Sequence, residues 1–206
     1  MRHFRTALAA AAAAALAWLA GPAAAQDAPL QVADGLFDLD DAQTLGLERL
    51  VGVETFTIFH PEANTHQFSN GVVVFPFKHR LYAQWQSSRT DEDAPETVVV
   101  YATSDDRGAT WSEPAQLTVA WSGGYVSNGG WWSDGETLVA YLNVWPQDVE
   151  PRGGHVEYVT STDGERWSKP AAVAMADGSP LPGIFEQDPH ALPDGRIINA
   201  AISSPA

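Results

Sequence analysis

Cysteine is absent from this 206-residue chain, and basic residues are few. Without cysteine the fold can use no disulfide and no thiol nucleophile. Eleven lysines and arginines stand against 26 aspartates and glutamates, which gives a formal net charge of −15. A chain this acidic repels phosphate backbones, so the composition argues against a nucleic-acid partner. The histidines show no metal-ligand spacing, and neither a metal site nor a cofactor is predicted.

Long apolar runs are also missing once the first 25 residues are set aside. Residues 1–25 combine a basic start, an apolar run from Ala7 to Leu19 and a small-residue end at Ala25, which is the pattern of a signal peptide. The sequence therefore predicts export to the periplasm or the cell exterior, a mature chain without a membrane span, and a formal charge of −17 after cleavage. Residues 26–50 read as a polar N-terminal lead-in, and 51–206 as the folded region.

What the chain does contain is an internal repeat. The segment 101–114 recurs in shortened form at 158–170, which places Trp111 and Trp167 56 residues apart. A Ser-Asn-Gly tripeptide at residues 69–71 recurs after a step of 58. Two separate markers with nearly the same period indicate repeated supersecondary units, and each period contains four short runs of β-forming residues.

This period predicts an all-β fold, a β-propeller of four-stranded antiparallel blades, with six or seven blades when complete and about two and a half in this chain. A ring must close to cover its strand edges, so we expect the chain to be a portion of a longer propeller. The third unit begins near residue 185 and turns at 193–195. The strands predicted for the first two blades are 71–77, 80–87, 97–104 and 111–119, then 126–132, 137–145, 155–160 and 167–174.

Two turns of the repeat resemble the Asp box, or bacterial neuraminidase repeat, of sialidases. In such a turn the aspartate caps backbone N–H groups, and the glycine adopts a backbone conformation that other residues resist. In sialidases these boxes lie on the rim, away from the substrate, so the resemblance speaks for fold rather than chemistry. The matching residues are Ser104, Asp106, Gly108 and Trp111 in the first turn and Ser161, Asp163, Gly164 and Trp167 in the second.

The resemblance to sialidases further implies an active site built from loop carboxylates. Asp93 lies 11 residues before the first box serine, where sialidases carry their acid/base. Glu186 lies six residues before Leu192 of a Leu-x-Asp-Gly turn, where the family has the glutamate that activates a nucleophilic tyrosine. Asp188 is a near-equivalent candidate. The implied protein is an exported, exo-acting glycoside hydrolase whose partner is a glycan.

Arginines that sialidases use to hold the sialic acid carboxylate are missing here. Thr57 stands at the first arginine position and Ala201 at the second. An arginine found near the acid/base would fall at Ser87, with Arg89 close by. Because a carboxylate is held best by a fork of guanidinium donors, the sequence argues against sialic acid as the substrate.

Two alternatives remain open at this stage. His66 opens the inner strand of the first blade, where some other secreted propellers place a catalytic histidine that acts on uronate-rich glycans by lyase or acid/base chemistry. Arg80 or Arg89 would then hold the uronate, Tyr125 would donate to the leaving oxygen, and Gln67 would contact the sugar. The other alternative is a propeller that binds glycans without cleaving them. The sequence leaves the oligomeric state open.

Overall fold

The computed structural model describes residues 33–63, 65–119, 121–149 and 152–203; the predicted signal peptide lies outside them. The chain divides into two compact units, Met1–Val53 and Glu54–Ala206. The described part of the first unit consists of turns and coil. Within the described ranges, there is no helix of a length and apolarity that could span a membrane.

The residues from Glu54 onward form antiparallel sheets, and in the two four-stranded sheets the strands follow one another in chain order. The first sheet contains β1 (Phe68–Phe77), β2 (Arg80–Ser88), β3 (Val98–Ser104) and β4 (Ala115–Gln116). The second contains β5 (Gly124–Ser133), β6 (Leu138–Pro146), β7 (His155–Ser161) and β8 (Ala171–Ala172). The third repeat of the propeller, called the third unit below, has two short sheets. In it, β9 (Ile184–Phe185) pairs with β12 (Ala201–Ile202), and β10 (His190–Ala191) with β11 (Ile197–Ile198). The predicted propeller, with two blades and part of a third, is confirmed.

The outermost strand of each blade is far shorter than predicted. The predicted strands 111–119 and 167–174 reduce to β4 and β8, each only two residues long. Trp111 stays in the preceding turn, where its indole N–H donates to the Gly108 carbonyl at 3.0 Å. Pro114 and Pro170 follow, and because proline has no N–H to donate to a ladder, the strands β4 and β8 begin only after them.

The largest buried cluster joins the two complete blades. Alternate side chains of β6, from Leu138 to Val144, pack in it together with residues of the first blade. At its centre Trp131 is fully buried and meets Tyr82 of the first blade edge-on, with ring centroids 6.0 Å apart. The indole N–H of Trp131 donates to the Val73 carbonyl at 3.2 Å, so the ring's one polar group is satisfied across the blade boundary.

The inner strands of both blades carry an irregularity that shapes the site. The pairing of β1 with β2 shifts between Asn70 and Val73, and that of β5 with β6 shifts between Asn128 and Trp131. Gly130, in the second of these bulges, has φ 95°, a backbone conformation that side chains resist. Bulges re-aim the residues beside them, and here Asn70 and Asn128 border the same cavity.

Candidate functional site

A cavity of about 660 Å³ lies among the inner strands of all three units and the loops that follow β2 and β6. Asp93 and Glu186, the two carboxylates that the sialidase resemblance implies, both border this cavity, although they lie in different repeats. Its lining combines charged side chains, uncharged amides and three aromatic rings. The charged residues are Glu92, Asp93, Arg152 and Glu186, and the rings are those of Tyr125, Trp145 and Phe185.

Asp93 is tied to Arg152 across the two blades. The two terminal nitrogens of Arg152 donate to Asp93 Oδ1 at 2.6 Å and Oδ2 at 3.1 Å, which is a bidentate pair. The Tyr125 hydroxyl donates to Asp93 Oδ1 at 2.8 Å. The Arg152 guanidinium, and then the Tyr125 hydroxyl, hold the pKa of the Asp93 carboxyl below its ordinary value against an opposing effect of burial. Asp93 is therefore ionised at neutral pH.

Tyr125 and Trp145 form a small aromatic platform beneath Arg152. Their rings stack at 6.0 Å with an interplanar angle of 16°. The guanidinium carbon of Arg152 lies 5.6 Å from the Tyr125 centroid and 5.1 Å from that of Trp145, and its Nη2 also contacts the tyrosine hydroxyl. Burial, followed by the hydrogen bond to Asp93, raises the pKa of Tyr125 to about 12. Tyr125 thus remains a protonated donor over the physiological pH range.

Arg152 is the site residue that the sequence reasoning misses. It lies in the loop between β6 and β7, and Asp93 lies in the equivalent loop between β2 and β3, 59 residues earlier. The repeat period, applied to the loops as well as to the strands, leads from Asp93 into the segment around residue 150, where Arg152 is the arginine. The missed signal was therefore present in the period.

Glu186 occupies the third place in a series of inner-strand residues. Asn70, Asn128 and Glu186 follow one another at steps of 58 residues, and all three border the cavity. Each comes directly before the irregular part of its inner strand; in the third unit this part separates β9 from β10. The Glu186 side chain is exposed, so it is accessible to a ligand in the cavity.

Asp188 holds a structural position and does not border this cavity. Its Oδ1 accepts the backbone N–H of Trp131 at 2.5 Å, so the carboxylate caps the bulge of β5. Burial raises its pKa, and the bond from Trp131 opposes that effect. A Cβ added at Gly130 would come within 2.6 Å of the same oxygen, so the bulge and the carboxylate fit each other closely. The structure therefore gives Asp188 a bond to the β5 backbone and does not bring it to the cavity that Glu186 borders.

His66 lies in a second cavity, of about 380 Å³, against the first blade. Its Nδ1 is 3.4 Å from the hydroxyl of Ser87, and Arg89 borders the same cavity. Tyr125 borders the larger cavity instead. The combination of His66 with Tyr125 that uronate chemistry would need is therefore not assembled in this structure.

Arg80 and Gln67 are engaged elsewhere. Arg80 begins β2, at the end opposite the loop that carries Asp93, and donates to Asp105 at 2.6 Å and to Glu165 at 3.2 Å. Its predicted contact with a substrate is not met by this position. The Gln67 amide donates to the Glu62 carbonyl at 3.2 Å and borders a third cavity, of about 470 Å³.

The first of the two Ser–Asp–Gly turns is held by bonds that stay within the turn. Ser104 Oγ donates to Asp106 Oδ1 and accepts the Gly108 N–H, both at 2.8 Å. Asp106 accepts the backbone N–H of Thr110 at 2.8 Å and its hydroxyl at 2.6 Å. The bonds from Thr110, and then from Ser104, lower the pKa of Asp106 to about 2. Every one of these partners lies within four residues in sequence.

The second turn repeats this scheme in a shorter loop. Ser161 Oγ accepts the Gly164 N–H at 2.8 Å, and Asp163 Oδ1 accepts the N–H groups of Glu165 and Arg166 at 3.0 and 2.9 Å. These two backbone bonds, and then the Arg166 guanidinium, hold the pKa of Asp163 far below its ordinary value. Gly164 has φ 76° and lies against the hydroxyl of Tyr82 in the first blade. This turn therefore contributes to the contact between blades.

Metal binding has no candidate site in the part of the chain that the structure describes. No group of three or more histidine, aspartate or glutamate side chains there is arranged to hold an ion.

Repeated four-stranded blades with a cavity among their inner strands define a β-propeller as the class of this protein. A family profile described as the BNR repeat-like domain matches residues 79–205, more than half of the chain. The chain therefore belongs to the BNR repeat-like domain family, which confirms the relationship to BNR-repeat, sialidase-like propellers predicted from the sequence. No curated protein gives a significant match.

The solved structures that are similar to this chain include the following two. A protein of unknown function from Dyadobacter fermentans DSM 18053 shares 17% identity, with a TM-score of 0.53 over 68% of this chain and 47% of that one. An alpha-L-arabinanase from Penicillium chrysogenum, complexed with arabinobiose, shares 13% identity, with a TM-score of 0.47 over 63% and 38%. The likeness to the first shows a shared fold. The chain spans about half of the length of that protein.

Proposed function

We propose that this chain is part of an exported carbohydrate-active propeller, an exo-acting glycoside hydrolase that uses the carboxylates of the large cavity. The observation that carries the proposal is the meeting of Asp93 and Glu186 in one cavity, beside the Tyr125–Trp145 platform. Glycosidic bonds are cleaved by pairs of carboxyl groups.

The contacts of Asp93 favour one of the two roles for this carboxylate. Arg152 and Tyr125 keep Asp93 ionised, which suits a base or a nucleophile. We assign to Glu186 the role of the acid that protonates the leaving oxygen. This assignment reverses the acid/base role that the sialidase resemblance implies for Asp93.

The alternative of a glycan-binding propeller without turnover is favoured by one specific observation. The Asp93 carboxylate is engaged by both Arg152 and Tyr125, and a carboxylate held in this way resists protonation. In a binding protein, the same three groups would only orient sugar hydroxyls.

Two further parts of the proposal rest on sequence patterns. The bonds within the turns around Asp106 and Asp163 are those that an Asp box needs, and we propose that both turns are Asp boxes. Export rests on the signal-peptide pattern of residues 1–25.

The test is release of sugars from a panel of neutral and acidic oligosaccharides by the full-length protein that contains this chain and by three variants. We expect release by the wild type and a fall of about 10²–10⁴-fold in Asp93→Asn and Glu186→Gln, as for loss of an acid or base. Asp106→Asn, at the turn, is the matched control and should keep the rate. Binding without release would favour the second candidate. Release that survives both cavity variants would contradict the proposed site.

A further inference from the structure

We propose that the large cavity selects uncharged sugars and excludes sugars that carry a carboxylate. This inference rests on the proposed function and specifies its substrate class. The charged lining residues are three carboxylates, Glu92, Asp93 and Glu186, and one guanidinium, Arg152. Their formal sum is −2, so an anionic sugar meets net repulsion where a neutral one does not.

The single guanidinium at this cavity is already committed. Arg152 forms the bidentate pair with Asp93, contacts the Tyr125 hydroxyl and lies over the two aromatic rings. A sugar carboxylate that took the same bidentate position would displace Asp93. The displaced carboxylate would then stand beside a second anion without its cation, which is unfavourable at a partly buried site.

Glu92 adds to this discrimination from a fixed position. Its Oε2 accepts the side-chain N–H of Asn70 at 3.1 Å, and both residues border the cavity. The glutamate is thereby held at the cavity next to Asp93. Glu186, on the inner strand of the third unit, contributes negative charge from a different blade.

The uncharged polar lining is suited to hydroxyl groups. Besides Asn70, the amides of Gln86, Asn128 and Asn143 and the hydroxyl of Ser127 border the cavity. Amides and hydroxyls offer both donors and acceptors, as sugar hydroxyls do. These side chains already bond within the protein, as Asn143 does to the backbone of Phe185, and a neutral sugar would pair with the donors and acceptors that remain.

The test uses an array of immobilised hexose oligosaccharides beside their C6-oxidised uronate counterparts, with lactose and sialyllactose as a second matched pair. Wild-type binding is measured on both members of each pair at low and at high ionic strength. We expect the neutral member to bind at least about tenfold more tightly at low ionic strength, with the gap narrowing as salt screens the cavity charge.

Two variants with the same change of net charge separate the cavity from the rest of the surface. Glu92→Gln removes a carboxylate at the cavity and should narrow the preference for neutral sugars several-fold. Glu165→Gln removes one at the distant Asp163 turn and should leave the preference unchanged. If both variants reduce the preference for neutral sugars equally, the charges at the cavity do not determine that preference.

The two possible failures are distinguishable. Binding of acidic members as tightly as neutral ones, with that binding lost in Arg152→Gln, would overturn the substrate class while leaving glycan binding intact. Binding of neither member would overturn the proposed function, and the substrate class with it.

Discussion

The carboxylates at the two ends of the blades, the Ser–Asp–Gly turns and the cavity, bond to different kinds of partner. At the turns, Asp106 and Asp163 bond to groups within four residues in sequence, and the arrangement recurs from one blade to the next. At the cavity, Asp93 bonds to Arg152, 59 residues away, and the matching loops carry an aspartate in one blade and an arginine in the next. The repeated turn bonds stabilise both complete blades in the same way. At the cavity, the matching loops carry different residues, and their pairing forms a site between the blades.

The inner strands show the same contrast within one series of positions. Asn70, Asn128 and Glu186 are equivalent by the repeat, yet only the third carries charge. Asn128 still serves the fold, since its amide donates to the Gly71 carbonyl and accepts the Gln86 N–H. A structural position has therefore acquired a carboxylate in the third unit.

The largest effect on stability is expected where the turn end meets a neighbouring blade. Gly164→Ala places a methyl group at φ 76° against the Tyr82 hydroxyl and should lower the free energy of unfolding by about 2–4 kcal/mol, from strain and overpacking. Gly108→Ala is the matched control: it has φ 91° but only an ordinary contact with Leu81 at 3.6 Å, and should lose about 1–2 kcal/mol. Urea unfolding measures both, and equal losses would contradict a blade contact at Gly164.

The turn carboxylates should stabilise the fold in a pH-dependent way. The pKa of Asp106 is lowered to about 2 from an ordinary 3.8, so its contribution is fully present above pH 4 and is lost as the pH falls through 2. In urea unfolding, Asp106→Ala should be less stable than the wild type at pH 5, and the two should converge near pH 2. A difference independent of pH would show that the ionised carboxylate is not the stabilising group.

Arg152 should set the acid limit of the cavity chemistry. Its guanidinium lowers the pKa of Asp93, so the wild type keeps Asp93 ionised to a lower pH than Arg152→Gln does. The acidic limb of the rate profile should therefore move to higher pH in Arg152→Gln. Arg166→Gln, which removes the guanidinium beside Asp163 at the turn, is the control and should not move it. If the acidic limb of the pH–rate profile stays in place in Arg152→Gln, ionisation of Asp93 does not control the rate.

The smallest effect is expected at Arg80. Its ion pairs with Asp105 and Glu165 lie at the turn end and are largely exposed on the acidic side, so Arg80→Gln should cost less than about 1 kcal/mol of unfolding free energy. Sugar binding, measured by calorimetry, should be unchanged. Loss of binding would restore the substrate contact that the sequence predicted for this residue.

The sequence predicts the repeated features well because their bonds are local. The Ser–Asp–Gly turns and the first three strands of each blade follow from contiguous residues, whereas Asp93 and Glu186 are implied only by the resemblance to sialidases. The predicted fourth strands are too long because Trp111 and Pro114 hold the chain in a turn, and strand propensity alone does not predict that turn. Arg152 is not predicted because its bond to Asp93 joins two blades, and the bond of Asp188 to Trp131 spans 57 residues, beyond the reach of local patterns.

The most direct test of this division between the two ends measures sugar release and the unfolding midpoint on the same preparations of Asp93→Asn and Gly164→Ala. At a temperature where both variants are folded, we predict that Asp93→Asn loses about 10²–10⁴-fold in rate and keeps a midpoint near that of the wild type, because the pair it breaks is half exposed. Gly164→Ala should release sugar at the wild-type rate and should have a lower unfolding midpoint. A variant at either end that lowers both quantities in parallel would contradict the separation.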